Sequence, residues 1–303
     1  VPRLSILIPY RHDDQRLEAT LLSVLENRPK DCEIIVVHDG SYTNPYCLDD
    51  EVVFIDESPR SSTVQLLNTG MLAACSPIVC TVLDGVDVTP GWADQPLDLL
   101  ERQELAAVAV PTFYGQSSRP LGGIRARALA LSGGLLRAKV ELNRTEGEVA
   151  GPNLTCGFIK KKILLTLGGW DAALDVGTAD VELACALQEL GLECALAANS
   201  HAQADASCSR APTNIVIKQL AELSVAYGFS SAGTAAAMSD MLRGCLSGSV
   251  SAAVAWASGV MANRAADRVN LRLNAARTQL EQANQEVPLR LYGAEQASGR
   301  RAA

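Results

Sequence analysis

A chain of 303 residues, 48% of them hydrophobic and 20% charged, is long enough for one large core with an appendage and too apolar to stay disordered. Its 26 Lys and Arg against 34 Asp and Glu leave a formal net charge of -8, a field that repels a phosphate backbone and argues against nucleic acid as a partner. Nine cysteines without a C-x-x-C pair or zinc-type Cys/His spacing read as small buried thiols kept reduced in a cytosolic protein.

Leu4 to Pro9 is an apolar run closed by proline, and Cys32 to His38 is a second, enriched in β-branched residues. Both read as buried parallel strands. Between them Leu17, Leu21, Val24 and Leu25 recur at helical spacing, with Asp13 or Asp14 to cap the helix and Asn27 and Pro29 to stop it. The pattern repeats as a strand over Val52 to Asp56, a helix over Thr63 to Cys75 that turns Val64, Leu67 and Met71 inward, and a strand over Ile78 to Leu83. A helix near Asp94 to Arg102 leads to the apolar run Leu105 to Pro111.

Strand, helix, strand alternation predicts an α/β fold, a mostly parallel open sheet with helices on both faces, whose ligands bind beyond the carboxyl ends of the strands. Those ends carry Pro9-Tyr10-Arg11-His12, His38-Asp39-Gly40-Ser41 and Asp84-Gly85-Val86-Asp87. From Pro111 to about Gly151 the Gly/Ser/Arg content reads as a mobile loop before an unassigned element. After Pro212 come Ala-rich helices, the last one amphipathic through Leu273, Ala276, Leu280 and Ala283 and stopped at Pro288.

The expected organisation is a main domain over 1–211, a C-terminal helical extension over 212–292 and a disordered tail over 293–303. No segment reaches the about 18–20 consecutive apolar residues of a membrane span, and a strand that begins at Arg3 or Leu4 leaves no room for a signal peptide in the chain as given. The expected location is the cytoplasm. The C-terminal helices are candidates to cover an acceptor, to form a homodimer contact or to lie on a membrane surface.

Several stretches together resemble the family 2 glycosyltransferases of the GT-A fold. LSILIPYRHD followed by LLSVLENRPKDCEIIVVHDGS is similar to that family's opening, which shapes the nucleotide pocket. LLNTGMLAACSPIVCTVLDGVDVTPGW resembles the helix and strand that lead into its metal motif, and GFIKKKILLTLGGWDAALDVGTADVELACALQELGLE resembles its acceptor-side segment. The likeness spans about residues 3 to 205. It implies an inverting transferase that moves a sugar from a nucleotide-diphosphate sugar, a UDP-sugar first, to the hydroxyl of a saccharide or lipid-linked acceptor. The alternative is a catalytically inactive relative that serves as a binding or partner protein.

The resemblance carries over residue by residue. It puts Pro9, Tyr10, Arg11, Asp39, Gly40, Ser41, Asn68 and Asp84 at the nucleotide sugar, with Arg11-His12 in place of the common Tyr-Asn, Leu67 where relatives often carry arginine, and His38 where they commonly have an acid. Asp39 either accepts a hydrogen bond from a base N–H or only holds an Asx turn. Asp180 matches the catalytic aspartate and is either the general base or the cap of its helix, and Glu182, two residues on, points to another face.

The metal motif departs from the family's. Relatives hold Mn or Mg with the last aspartate of Asp-x-Asp, but that position falls on Val86 counting from Leu83 and on Gly85 counting back from Pro90-Gly91-Trp92. Neither side chain can ligate a metal. Asp84 and Asp87 are the substitutes if the loop shifts. His201 lies about three residues early for the family's third ligand and reads as a surface residue, and Lys160-Lys161-Lys162 read as a solvated helix start rather than as a replacement cation.

Overall fold

A computed structural model of the chain describes residues 1–10, 13–116, 123–124, 149–205, 214–227, 254–255, 257–259, 261 and 264–299. In chain order it contains β1 (Leu4–Tyr10), α1 (Asp14–Asn27), β2 (Cys32–His38), β3 (Val53–Asp56), α2 (Thr63–Ala73), β4 (Ile78–Val82), β5 (Val86–Val88), α3 (Asp94–Arg102), β6 (Ala107–Ala109) and β7 (Thr112–Tyr114). There follow β8 (Gly123–Ile124), β9 (Gly151–Pro152), β10 (Cys156–Lys160), α4 (Lys161–Leu167), α5 (Val176–Glu189), β11 (Cys194–Leu196), β12 (Ala202–Ala204), α6 (Asn214–Ala226) and α7 (Arg264–Gly299).

Seven strands form one sheet in the order β11-β6-β10-β4-β1-β2-β3. All neighbours are parallel except β10, which runs antiparallel to both β4 and β6. Every residue of β1 and of β4 is buried, which is why both read as unbroken apolar runs rather than as alternating ones. Alternate side chains feed two cores. Leu7, Ile35 and Val37 face a layer of α2, α4, α5, α6 and α7, whereas Ile6, Ile8, Ile34 and Val36 face α1, α3 and a smaller sheet of order β5-β12-β7.

The helix ends follow local chemistry. Asp13 caps α1 by accepting from the Arg16 N–H at 3.1 Å. Ser62 and Gln65 form a reciprocal capping box at the start of α2. This helix stops at Ala73 rather than at Cys75 because the backbone N–H groups of Cys75 and Ser76 turn to the Glu33 carboxylate, at 2.6 and 3.2 Å.

Helix α7 continues through Pro288, where the sequence pattern stops it; a proline deletes one backbone hydrogen bond and bends a helix more readily than it ends one. The loop expected from Pro111 to Gly151 starts with β7 and closes with β8 and β9, and its residues 117–122 and 125–148 lie outside the described residues, as do 300–303 of the expected tail. Among the described cysteines, Cys80, Cys156 and Cys185 are buried, as small buried thiols are expected to be, whereas Cys47 and Cys75 are exposed. No helix among the described residues is long and apolar enough to cross a membrane.

Candidate functional site

Four neighbouring strands carry the sequence-predicted residues to one edge of the sheet. Tyr10 ends β1, Asp39 follows β2, Asp84 follows β4, and the segment Asn153 to Thr155 enters β10, whose Cys156 pairs with Val82. Pro9 lies within β1, buried and paired with Val37. Arg11 and His12 lie outside the described residues.

At the β2 end, Asp39 is buried and its Oδ1 accepts from the Ser41 N–H at 3.2 Å and from the Ser41 hydroxyl at 2.5 Å. This is an Asx turn, which Gly40 completes at a φ of 79° that other residues rarely adopt. Beneath it an aromatic cluster joins Tyr42 to Tyr10 at 5.4 Å and to Phe54 at 5.8 Å between ring centroids. Tyr10 donates its hydroxyl to Asp14, and burial together with that carboxylate pushes the phenol up to about 12. The ring of Tyr10 therefore belongs to the core. His38 turns Nε2 to Asp56 at 3.2 Å, away from the Asx turn.

Asn68 is committed elsewhere. Its side-chain N–H donates to the Trp170 carbonyl at 2.9 Å, and its carbonyl accepts from the Trp170 N–H at 2.8 Å, which clamps α2 to the Gly168-Gly169-Trp170-Asp171 turn.

Asp180 sits in the second turn of α5. The cap of that helix is Asp175, which accepts from the Gly177 N–H at 3.2 Å, so Asp180 does not serve as the cap. Burial pushes its carboxyl up to about 7, against the backbone N–H groups of Val181 and Leu154, which act to lower it. Its Oδ1 is buried and has no hydrogen-bond partner among the described residues. Leu154 also ties Asp180 to the Asp84 loop, because the next carbonyl, that of Thr155, accepts from the Leu83 N–H at 3.1 Å. Glu182 points the other way. It is buried on Arg272 of α7, 2.6 Å away, and accepts from the Tyr227 hydroxyl at 3.1 Å.

The loop after β4 settles the register of the metal motif. Val86 is fully buried in β5 and belongs to the core, so Gly85 is the position that lacks a side chain at the loop. Gly85 has a φ of 85°, and a Cβ placed on it would stand 2.5 Å from Nη2 of Arg16 and 2.9 Å from Cζ. A guanidinium thus fills the space a residue at 85 would enter. Arg16 also donates to the Asp84 carbonyl at 2.7 Å and lies 3.9 Å from Asp205, whose own N–H bonds the Gly85 carbonyl at 2.9 Å.

Asp87 is on the exposed face of the small sheet, opposite Gln203, and burial and the Asp205 charge push its carboxyl up. Among the described residues no group of three or more His, Cys, Asp or Glu could hold a metal ion. With Gly85 and a guanidinium at the motif position, these residues do not fit a divalent cation.

Sequence reasoning passes over Arg16 and Asp205. One signal was present: Arg16, Thr20, Ser23 and Asn27 recur at helical spacing beside the apolar face of α1. All four bond the loop or strand β5. Thr20 Oγ1 accepts from the N–H groups of Gly85 and Val86, Ser23 Oγ from that of Val88, and Asn27 donates to the Val88 carbonyl. His201 is exposed and stands edge-on to Phe113, at 6.1 Å. Lys160 pairs with Ile78 at the far end of β4, so Lys160 to Lys162 lie at the opposite edge of the sheet.

Residues 5–121 match the family model described as glycosyl transferase family 2. Over that stretch the chain is similar to the family 2 glycosyltransferases. The fold agrees. GalNAc-T7, solved with UDP, GalNAc and Mn2+, is similar with a TM-score of 0.55 and 14% identity, over 74% of this chain and 48% of that one. The mannosyltransferase PcManGT from Pyrobaculum calidifontis, solved with GDP-Man and Mn2+, is similar with a TM-score of 0.53 and 16% identity, over 92% of this chain and 86% of that one. The chain therefore spans about half the length of GalNAc-T7. By sequence, no curated protein matches it. The architecture is that of the GT-A glycosyltransferases, and the matched stretch contains the ends of β1, β2 and β4 and the loop at Gly85.

Proposed function

We propose that the chain is an inverting glycosyltransferase that uses a nucleotide-diphosphate sugar, a UDP-sugar first, and an acceptor hydroxyl. The observation that carries this reading is Asp180: a carboxyl raised to about 7 by burial, relieved of any capping duty, and joined through Leu154 and Thr155 to the loop after β4. A base with a pKa near the working pH combines the right protonation state with driving force for proton transfer. The acceptor oxygen attacks the anomeric carbon as the bond to the diphosphate breaks. Its proton passes to Asp180, and the negative charge leaves with the nucleoside diphosphate.

Asp39, fixed by Ser41, is the proposed reader of a base N–H, with Gly40 leaving room above the turn. Asn68 supports the acceptor-side turn instead of touching the donor. The test is donor hydrolysis and transfer by Asp180→Asn, which should fall by about 10²–10⁴-fold with nucleotide binding retained. An unchanged rate would remove Asp180 from the chemistry. The second reading is a non-catalytic relative, favoured by the glycine at position 85. It predicts nucleotide binding, or none, with no turnover in the wild type.

A further inference from the structure

We propose that Arg16 is the cation that receives the donor's diphosphate, so that nucleotide binding at this site needs no divalent metal. The inference rests on the nucleotide-sugar reading above. Its ground is a substitution in space: where a side chain at position 85 would project, the Arg16 guanidinium already stands, 2.5 to 2.9 Å from the place of that Cβ. Glycine is favoured there by its φ of 85°, and its missing side chain leaves that space to the guanidinium.

The surroundings require a cation. Among the described residues Asp39, Asp84, Asp87 and Asp205 lie at this end of the sheet and of the small sheet beside it, so a diphosphate brought there bare would meet their negative charge. Arg16 is held in place rather than trailing in solvent. The Asp84 carbonyl fixes Nη2, and Thr20, Ser23 and Asn27 on the same stripe of α1 lock the loop against the helix. Its ionic contact with Asp205 is long, 3.9 Å, and Asp205 is mostly exposed. A planar fork with five donors can keep the carbonyl bond while it exchanges a loose carboxylate for two phosphate oxygens.

Calorimetry with UDP, GDP and uridine, in EDTA and in Mn2+, tests the proposal. UDP should bind in EDTA, and Mn2+ should change its affinity by less than about twofold, since no ion mediates the contact. Arg16→Gln should weaken UDP by about tenfold or more while uridine binds as before, because only the phosphate contacts are lost. A merely structural role of Arg16 would weaken both ligands alike.

Should Arg16→Gln fail to fold, Gly85→Ala serves in its place. It keeps the charge but pushes the guanidinium aside, and the same selective loss of UDP is expected. UDP binding that appears only with Mn2+, or that survives Arg16→Gln undiminished, overturns the assignment of Arg16 and leaves the transferase reading standing. No binding of any nucleotide in either condition overturns that reading itself, and Arg16 with it.

Discussion

Two charged contacts, one on each face of the central sheet, are held in opposite ways. On the face of α5 and α7, two carboxylates are buried and tightly paired: Glu182 is 1% exposed and 2.6 Å from Arg272, and Asp171 is 7% exposed and 3.1 Å from Arg268. Arg272 also donates to the carbonyls of Leu167 and Gly169. On the face of α1, Arg16 meets an Asp205 side chain that is 63% exposed at 3.9 Å. The first arrangement fixes α5, and hence Asp180, against the C-terminal helix. The second sets a part-buried guanidinium, bonded to the Asp84 carbonyl, at long range from a carboxylate that water already screens. The Glu182 contact is built to stay put, and the Asp205 contact is the looser of the two.

The sharpest way to break this contrast is at Arg272. Its replacement by alanine strands Glu182 in the core with the Tyr227 hydroxyl as its remaining side-chain donor among the described residues, and the loss of one partner of a buried pair costs about 3–5 kcal/mol. Denaturant unfolding should show a loss of that size. Arg272→Met combined with Glu182→Leu should recover most of it, because the cost arises from the uncompensated charge. A loss below about 1 kcal/mol for Arg272→Ala would mean that the α7 face is no tighter than the α1 face.

Asp180 gives the next effect and has a definite sign. Its folded pKa of about 7 lies above the ordinary aspartate value of 3.8, with burial the main cause and Asp175 the nearby like charge. The native state therefore holds this proton more tightly than the unfolded chain does, and stability contributed by the protonated form is lost as pH rises from about 4 through about 7. Asp180→Asn should be more stable than the wild type at pH 8, on the order of 2–4 kcal/mol, and the gap should close near pH 4. Wild-type turnover should run the other way and rise through about pH 7 as the base loses its proton. Parallel stability curves for the two proteins would show that Asp180 titrates normally.

The sheet was legible because β1, β2 and β4 are apolar runs of strand length separated by a helical period, and Pro9, Asp39 and Asp84 then fall at strand ends by topology alone. The family 2 motifs added Asp180. What sequence could not settle was whether Asp180 caps its helix, since Asp175 lies only five residues earlier and both types of residue suit a cap. Nor could it choose between Gly85 and Val86 at the metal position, because that depends on which residue of a three-residue strand turns into the core. Arg16 was invisible for a different reason. Its partner lies 68 residues away along the chain, and an arginine in the first turn of an amphipathic helix is ordinary until the loop that it meets is known.

Asp205 completes the contrast with the smallest effect. Asp205→Asn removes the charge of an exposed carboxylate 3.9 Å from a part-buried guanidinium but leaves its backbone N–H on the Gly85 carbonyl. Unfolding should therefore shift by less than about 0.5 kcal/mol, several times less than at Arg272. The same change takes away the carboxylate that competes for Arg16 and relieves Asp87, whose carboxyl Asp205 helps to push up. UDP affinity should consequently rise, by about two- to fivefold at low salt, and the gain should shrink as ionic strength shortens the Debye length toward about 8 Å. A weaker affinity in Asp205→Asn would mean that the carboxylate orients the guanidinium rather than competing for it, and the α1 face would then be as fixed as the other.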